Sequence, residues 1–435
     1  MRGISAILNK LSGNFIGTTP TALAGFGNNG DGVFIEGAPQ NSVDGNTIVS
    51  NFLRGIRIQD QSARLHQLLC NLIGLAPNLQ GLLLNLPNLQ GGILISDTPE
   101  NVIGSPVVAA AVGSVFKAAP ARIQAMGGNV ISGNGGPGLM FTGAQARLNL
   151  VQSNFIGTDG TGFGQYGNSS HGVFLTGAAR RNVIGGPAAG AGNVIAFDTG
   201  AGVSLDATAG HGNLVDPNSI FANGGPGIDL NNDNAPTAND PGDPDNGPNK
   251  LQNFPEMTGA NIQPNGHLVI QYKVDSNRSN SNYGANGLLV EFFKADKGLE
   301  GRFFAGSTRH TVANYNSGSP GVVTVNLGLA SASNIYPGDR IVATATDADH
   351  NTSEFTSVGV GVIPGLPGTS FYTVTPCRVA DTRDPAGPFG APALAAGAER
   401  TFTFGGLCGI PVTARAVSFN ITVTGPTFFG HLSLY

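Results

Sequence analysis

The chain has 435 residues, a formal net charge of −5 and only 11% charged residues. No basic run is present, so the sequence gives no electrostatic basis for binding nucleic acid. No uninterrupted apolar stretch of about twenty residues occurs, and no membrane-spanning segment is predicted. Glycine is abundant at 66 residues and tryptophan is absent, which is typical of short strands and tight turns around a core of small side chains.

The first half of the sequence repeats itself. The pentapeptide Asn-Phe-Ile-Gly-Thr begins at Asn14 and again at Asn154, and each copy is followed by Gly-Val-Phe-Ile or Gly-Val-Phe-Leu, at Gly32 and Gly172. Each coil of roughly 25 residues holds three short β runs punctuated by glycine and asparagine. Self-similarity of this kind predicts a solenoid, whose coils stack to bury a common core.

Alternation with a period of two separates inward from outward positions in the Gly-hydrophobic-x-hydrophobic phrase. Two inward rows are expected to form the core: Val33, Ile56, Ile93, Leu139, Val173, Val203 and Ile228, and Ile35, Ile58, Ile95, Phe141, Leu175, Leu205 and Leu230. The intervening row is chemically mixed and is expected to face outward: Phe34, Arg57, Leu94, Met140, Phe174, Ser204 and Asp229. The asparagine that opens each run is expected to form a ladder of side-chain amides between coils.

These phrases resemble the right-handed parallel β-helix repeat of secreted bacterial proteins, which carries Asn-x-Ile-Gly-Thr and Gly-Val-x-Ile-x-Gly-Ala. The resemblance covers residues 1–232 and implies an all-β fold; the right-handed sense comes from the family and from the rule for parallel crossovers. Residues 65–91 and 107–128 depart from the repeat. Each is expected to be a lateral loop, a short helix or an unreliable piece of sequence.

The start of the chain shows neither the order of a signal peptide nor a cap for an open solenoid end. The sequence therefore predicts a fragment that begins partway through a longer β-helix. At the other end of the repeat, residues 233–256 form a linker rich in Asp, Asn and Pro that cannot continue a strand ladder. Its Asp240, Asp243 and Asp245 are candidate calcium ligands, and the alternative is a solvated acidic linker.

Residues 257–363 follow a different pattern, with alternating runs at 268–274, 288–293, 322–327 and 340–346. Half-polar runs with turn-rich spacers predict an antiparallel β-sandwich. The phrase at 344–355 is similar to the closing hairpin of bacterial immunoglobulin-like modules. Within it, Asp347, Asp349, Asn351 and Glu354 are candidate calcium ligands, and the alternative is a hairpin whose Asp and Asn side chains satisfy their own turn.

A second linker, 364–370, leads to residues 371–435. This segment is similar to a small β module of uncharacterised role at the C-termini of secreted bacterial proteins, with the phrases Pro-Cys-Arg-x-x-Asp-Thr-Arg and Cys-Gly-Ile-Pro. Members of that family continue for several strands, so the module is expected to be incomplete. Cys377 and Cys408 are predicted to form a disulfide, which indicates export, whereas Cys70 is expected to be a buried thiol on a strand.

Catalysis on the β-helix would require particular groups. A lyase acting on acidic sugars needs basic residues near carboxylates and Ca²⁺, but Arg57 is the one basic residue in the outward row. A glycosidase needs two carboxylates facing one groove at roughly 5–9.5 Å. The candidates are Glu36 with Asp60 and Asp206 with Asp229, on successive coils.

Binding without catalysis is the leading hypothesis, with Phe34, Leu94, Met140 and Phe174 as candidate ligand-binding residues. We expect a secreted or cell-surface scaffold, an adhesin-like monomeric rod whose partner is a polysaccharide or another cell-surface component. No cofactor is expected apart from the candidate Ca²⁺. The alternative is a polysaccharide lyase or glycoside hydrolase, and a third hypothesis is a structural fragment with no ligand.

Overall fold

A computed structural model describes residues 1–22, 26–105, 127–296, 298–316, 319–364, 373–395, 398–414 and 416–425. The chain divides into two compact units, Met1–Leu366 and Pro367–Tyr435. Within the described ranges, no helix is both long and apolar enough to cross a bilayer.

The repeats fold into three parallel seven-stranded sheets, and successive coils add strands to each sheet in chain order. Sheet 1 contains Val33–Glu36, Arg54–Gln59, Gly91–Ser96, Leu139–Thr142, Val173–Thr176, Val203–Asp206 and Ile228–Asn231. Sheet 2 contains Lys10–Ser12, Ser42–Asp44, Gln67–Leu69, Val102–Ile103, Leu150–Val151, Val183–Gly185 and Leu214–Asp216. Sheet 3 contains Phe15–Ile16, Thr47–Ile48, Leu72–Ile73, Val130–Ile131, Phe155–Ile156, Val194–Ala196 and Ser219–Phe221. This arrangement confirms a parallel β-helix.

The core of the β-helix is built from identical positions stacked in register. Ile35 lies opposite Ile58, and Ile58 lies opposite Ile95. None of the side chains in the two predicted inward rows is more than 6% exposed. The two rows therefore form the core, as predicted, and burial of branched aliphatic side chains at each coil supplies the main favourable free energy of the stack.

Glycine in the Asn-Phe-Ile-Gly-Thr motif is required by the corner that follows each sheet 3 strand. Gly157 has a φ of 75°, in the left-handed region. A Cβ atom there would also collide with the carbonyl oxygen of Ala196 in the next coil. Gly17 is in the same situation, with a φ of 84° and the carbonyl of Val49 above it. The motif thus marks a bend where coils approach too closely for any side chain.

The irregular stretch 65–91 contains a lateral insertion. It contains the regular strands Gln67–Leu69 and Leu72–Ile73, followed by an antiparallel hairpin, Leu75–Pro77 with Leu83–Asn85. Side chains of the hairpin pack on the outer face of sheet 3 in a small apolar cluster formed by Leu72, Leu75, Leu83, Val130, Phe155, Tyr166 and Val194. Positions 107–126 of the other irregular stretch lie outside the described residues.

Three columns of polar side chains run through the coils at the corners. The first contains Asn9, Asn41, His66, Asn101, Asn149, Asn182 and Asn213. The second contains Asn14, Asn46, Asn71, Asn129, Asn154, Asn193 and Asn218. The third contains Asn28, Asn51, Asn88, Asn134, Asn168, Asp198 and Asn223. The predicted amide ladder is therefore confirmed.

One step of the ladder shows why asparagine is required. Asn154 Oδ1 accepts hydrogen bonds from the backbone N–H of Asn129 at 3.0 Å and from its Nδ2 at 2.8 Å. Its own Nδ2 donates to Asn193 Oδ1 and to the carbonyl oxygen of Ile103. A buried side chain must both donate and accept hydrogen bonds here. The asparagine amide can do both, and its single methylene group places it at the right distance from the backbone of the next coil.

His66 occupies a ladder position in the first column. Its Nδ1 accepts the backbone N–H of Asn41 at 3.1 Å, and its own backbone N–H donates to Asn101 Oδ1 at 3.0 Å. The ring is fully buried and Nε2 has no hydrogen-bond partner among the described residues. Desolvation lowers the pKa of His66 to about 4, so the ring is held neutral.

A two-layer β-sandwich follows the β-helix. One sheet contains Val323–Leu329, His267–Lys273, Glu256–Ile262 and Ile363–Pro364; the other contains Gly301–His310, Leu288–Ala295, Arg340–Thr346 and Val360–Gly361. Short elements complete it: the strand pair Tyr315–Asn316 with Ser319–Pro320 and the 3₁₀ turns Pro248–Leu251, Val312–Asn314 and Ala330–Ser333. The four predicted runs are strands. Glu256–Ile262 and Gly301–His310 were not predicted, because glycine and polar residues interrupt their alternation.

The sandwich and the linker cap the last coil of the β-helix. Phe293, Val342 and Phe355 belong to the β-helix core rather than to the core between the two sandwich sheets. Asn249 Oδ1 accepts the backbone N–H of Asn213 and so extends the first ladder. Residues 233–256 therefore contribute to packing and are not simply a solvated spacer; the domain boundaries proposed from the sequence remain predictions.

Within 373–395, 398–414 and 416–425, the second unit consists of irregular chain with a few turns and contains no strand. Cys377 and Cys408 form a disulfide across 31 positions of sequence. Asp381 accepts hydrogen bonds from Arg378 and, in a fork, from Nε and Nη2 of Arg383. These guanidinium groups lower the pKa of Asp381 and explain the Pro-Cys-Arg-x-x-Asp-Thr-Arg phrase as a local ion-pair motif.

Replacing Asn154 by alanine should lower the free energy of unfolding by roughly 3–5 kcal/mol, because it leaves several buried donors and acceptors unpaired. Urea denaturation of the full chain would measure the change. Asn29→Ala, at an exposed position of the same β-helix, is the matched control. A loss of less than about 0.5 kcal/mol for Asn154→Ala, as expected for an ordinary surface change, would contradict the ladder account.

His66→Asn should raise the melting temperature, because an amide completes the ladder and removes an unpartnered buried nitrogen. The folded-state pKa of about 4 lies below the ordinary value of 6.5, so the histidine costs stability as pH falls through this window. The difference between variant and wild type should therefore widen from pH 7 to pH 4. Thermal melts across that range test this, with exposed His211→Asn as control; parallel curves would refute it.

Candidate functional site

The outer face of sheet 1 presents two rows of side chains side by side. Strand register places Phe34 opposite Arg57, and Met140 opposite Phe174. Two residues further along each strand, on the same side, lies a polar row: Glu36, Gln59, Ser96, Thr142, Thr176, Asp206 and Asn231. Because neighbouring strands are about 4.8 Å apart, both rows repeat at that spacing along the axis.

The mixed row is only partly open to solvent. Phe34, Arg57, Met140 and Phe174 are half-buried, whereas Leu94, the other predicted binding residue, is buried between Arg57 and Met140 of the neighbouring strands. Ser204 and Asp229 lie on the outer side of the sheet but are also buried. The accessible part of the row therefore ends at Phe174.

The turn after the last strand of sheet 1 covers Ser204 and Asp229. Ser204 Oγ donates to Asn232 Oδ1 at 3.1 Å, and the backbone N–H of Asn234 donates to Asp229 Oδ2 at 3.2 Å. Burial raises the pKa of Asp229. Alternation alone placed these residues outward, but the chain folds back over them.

The N-terminal patch consists of Arg2, Phe34, Glu36, Arg57 and Gln59. Both guanidinium groups, of Arg2 and of Arg57, lie 5.2 Å from the centre of the Phe34 ring. Glu36 connects two other members of the patch, since it forms an ion pair with Arg2 Nε at 3.1 Å and accepts a hydrogen bond from Gln59 Nε2 at 2.6 Å. The result is an aromatic ring held between two cations, next to an amide and a carboxylate.

The middle patch consists of Met140, Thr142, His171, Phe174 and Thr176. The His171 and Phe174 rings stack with centres 5.1 Å apart. His171 is fixed in turn, because its Nδ1 accepts the backbone N–H of Ala201 at 3.1 Å, and burial lowers its pKa. Sequence alternation identified Met140 and Phe174 but missed His171, which precedes the strand and stacks on Phe174 while Ala201 holds its ring.

The strand register does not place the four catalytic candidates directly opposite one another. In the strand register, Glu36 faces Gln59 rather than Asp60, and Asp206 faces Asn231 rather than Asp229. Asp60 accepts the backbone N–H of Ser62 in a turn. Asp206 accepts hydrogen bonds from Thr208 and from Thr176 Oγ1, the latter at 2.5 Å. Each of these carboxylates has a structural partner.

The predicted calcium ligands of the 344–355 hairpin have protein partners. Asp347 Oδ1 accepts the backbone N–H groups of Asp349 and Asn351 at 2.9 Å each, and Asp347 Oδ2 accepts Asn351 Nδ2. Glu354 lies at the β-helix junction, where it accepts the backbone N–H groups of Leu230 at 2.7 Å and Thr237 at 2.6 Å. Calcium binding by this hairpin stays a prediction.

The acidic groups of the linker do converge. Among the described residues, Asp240, Asp243 and Asp245 bring one carboxylate oxygen each within 4.8 Å of one another. Asp243 is buried, and its Oδ2 accepts the hydroxyl groups of Ser276 and Ser281 at 2.6 Å each. Burial and the neighbouring Asp240 and Asp243 raise the pKa of Asp245 to about 6. Calcium binding here is likewise a prediction.

A shallow depression of about 440 Å³ lies on the outer face of sheet 2 at the N-terminal coils. Its lining includes Lys10, Ser42, Leu65, Gln67 and Glu100. Lys10 pairs with Asp44 at 3.2 Å, and Glu100 with Arg64 at 3.9 Å. Each charged group of this depression is thus neutralised by a neighbouring side chain, and its described lining contains no Phe, Tyr or Trp.

Comparison with known proteins adds little to this description. No protein-family model matches the sequence, and no curated protein sequence matches it. Among solved structures, the chain is similar to the full-length tailspike protein 2 of Escherichia coli O157:H7 bacteriophage CAB120, at 11% sequence identity and a TM-score of 0.21. The match covers 73% of this chain and 43% of the tailspike, less than half of that protein. The class assigned here, a parallel β-helix followed by a β-sandwich, therefore rests on the sheets themselves.

Proposed function

We propose that this protein is an extracellular or cell-surface scaffold that binds polysaccharide along the outer face of sheet 1. The observation that supports this proposal is the arrangement of the two patches, in which aromatic rings at Phe34 and Phe174 lie beside a continuous polar row. The rings are held by neighbouring side chains rather than free to rotate, so little conformational entropy is lost on binding.

The chemistry of the face suits a carbohydrate. Aromatic rings provide flat apolar surfaces for the C–H faces of sugar rings, and hydroxyl and amide groups pair with sugar hydroxyls. Thr142, Thr176 and Gln59 supply such groups next to the rings. A polymer is favoured over a single sugar, because the groups repeat from coil to coil along the axis.

Binding without catalysis is favoured by the state of the carboxylates. Glu36 is in an ion pair with Arg2, Asp206 is held by two threonines, and Asp229 is buried. A hydrolase of the usual kind needs one protonated and one ionised carboxyl facing the same sugar. The lyase or hydrolase alternative is retained as an outcome of the experiment below.

We also propose export to an oxidising compartment. The disulfide between Cys377 and Cys408 supports this, because such bonds persist mainly outside the cytosol. In this proposal the sandwich is an immunoglobulin-like spacer and residues 371–435 are an attachment module, as the resemblance of their sequence phrases implies. The scaffold would act as a monomer.

Phe174→Ala should weaken polysaccharide binding about tenfold, since stacking of one ring is worth roughly 1.4 kcal/mol. The assay is affinity electrophoresis against neutral and acidic polysaccharides, run with Ca²⁺ and with a chelator to test the predicted ion. Phe174→Tyr should retain binding. Phe163→Ala is the matched control, because Phe163 is 72% exposed and outside sheet 1.

Equal retardation of the wild type and Phe174→Ala would show that polysaccharide binds away from Phe174. If no polysaccharide retards the folded wild type, the binding proposal is wrong and only the scaffold role remains. The same panel is assayed for new reducing ends and unsaturated products. Products that disappear in Glu36→Gln or Asp206→Asn would instead establish the enzyme alternative.

A further inference from the structure

The junction between the last coils and the sandwich contains buried carboxyl groups that no cation pairs with. Asp216 ends the last strand of sheet 2 and meets Glu291 of the sandwich, while Asp198 lies in the third ladder, which Glu300 of the sandwich extends. All four residues are no more than 5% exposed. Within the described part of the chain, none of them has a lysine or arginine nitrogen within 4.0 Å.

The Asp216 and Glu291 side chains lie close enough for a hydrogen bond between them. Glu291 Oε2 is buried and receives no hydrogen bond from a donor among the described residues. Two carboxylates can form such a bond only when one of them carries a proton. The positive charge of Arg309 lowers the pKa of both carboxyl groups, and His350 lowers that of Asp216. Neither forms an ion pair with them within 4.0 Å. Burial and the charge of Asp216 raise the pKa of Glu291 to about 9, and burial raises that of Asp216.

The second site is the end of the third ladder. Asn223 donates its backbone N–H and Nδ2 to the two carboxylate oxygens of Glu300, at 3.1 and 2.8 Å, and its Oδ1 accepts the backbone N–H of Asp198. Asp296 adds a further negative charge beside Glu300. The nearby Arg302 stacks on the Phe221 ring and does not pair with Glu300. Asp198 Oδ2 is buried without a hydrogen-bond partner among the described residues.

Other groups at this end of the β-helix are also acidic. Glu354 is buried near Asp229 and Asp233, and it has no lysine or arginine nitrogen within 4.0 Å among the described residues. Ionisation of these carboxyl groups would therefore place several negative charges in one buried contact, which costs free energy. Entry of water or separation of the two surfaces would lower that cost.

We propose that the sandwich is docked on the β-helix by a proton-dependent lock: the junction closes fully only when the Asp216–Glu291 pair holds a proton and when Asp198 and Glu300, on either side of Asn223, are not both ionised. The inference is independent of the polysaccharide proposal, since none of these residues lies on the open face of sheet 1. A mildly acidic medium closes the junction, and an alkaline one opens it.

The direction follows from the proton balance. Burial raises the pKa values of Asp198 and Glu300 to about 7, above those of the same groups exposed to water. The closed form therefore binds more protons than the open form, so its stability is greatest at acidic pH. It is lost progressively as pH rises through about 7 and then about 9, where Glu291 ionises.

Hydrogen–deuterium exchange of the full chain at pH 5 to 9.5 tests the lock. After correction for intrinsic exchange rates, protection of peptides covering Ser219–Phe221 and Leu288–Ala295 should fall at least about tenfold between pH 5 and 9. Protection of Gly91–Ser96, remote from the junction, should stay constant and serves as the internal reference. Unchanged protection at the junction of the wild type would overturn the proposal.

Neutral isosteres separate a proton effect from a packing effect. Glu291→Gln combined with Asp198→Asn should retain junction protection at pH 9, and the amide at position 198 also completes the ladder. Asp384→Asn, at an exposed position in the second unit, makes the same change of charge as either substitution and is the matched control. If the double variant does not fold, Asp198→Asn alone should halve the pH dependence on a logarithmic scale. Full wild-type pH dependence in a folded variant would overturn the proposal.

Discussion

Satisfaction of buried backbone polar groups at the corners is the constraint on which this structure depends. A β-helix pairs its backbone within three flat sheets, but at each corner the chain turns and the sheet hydrogen bonds stop. Asparagine side chains take over there, each accepting from one coil and donating to the next. Without them each coil would bury unpaired donors and acceptors, at a cost comparable to the whole stability of a domain.

The same constraint fixes the geometry of the outer face. Because the corner amides align every coil, equivalent residues of sheet 1 are brought into register, and rows of side chains form without any special sequence on the face itself. Phe34, Met140 and Phe174 are thus parts of one surface although they are far apart in sequence. The end of the stack is subject to the same requirement, and side chains from outside the repeat, Asn249 and Glu300, fill the next ladder positions.

The features of the fold that depend on local sequence could be predicted from the sequence. The inward rows, the amide ladder and four strands of the sandwich follow from periodicity and from the chemistry of asparagine. What could not be predicted depends on distant chain segments. Ser204 and Asp229 are buried by a turn that folds back, and Leu94 is buried although its position alternates outward. Arg2 joins the N-terminal patch through a bridge with Glu36, at a point of the sequence where no repeat phrase occurs.

The ladder has one more property, which concerns how such a chain can change. Successive members of the second column are 25 residues apart between Asn46 and Asn71 but 58 apart between Asn71 and Asn129, and both steps have the same hydrogen-bond geometry. The stacking of the coils therefore does not depend on the number of residues between two successive ladder positions, provided that the chain returns to the same point. Closing a longer loop costs little free energy, since the penalty grows only logarithmically with length. New surface features can be added at the corners of this protein one insertion at a time, while the core beneath them is left as it was.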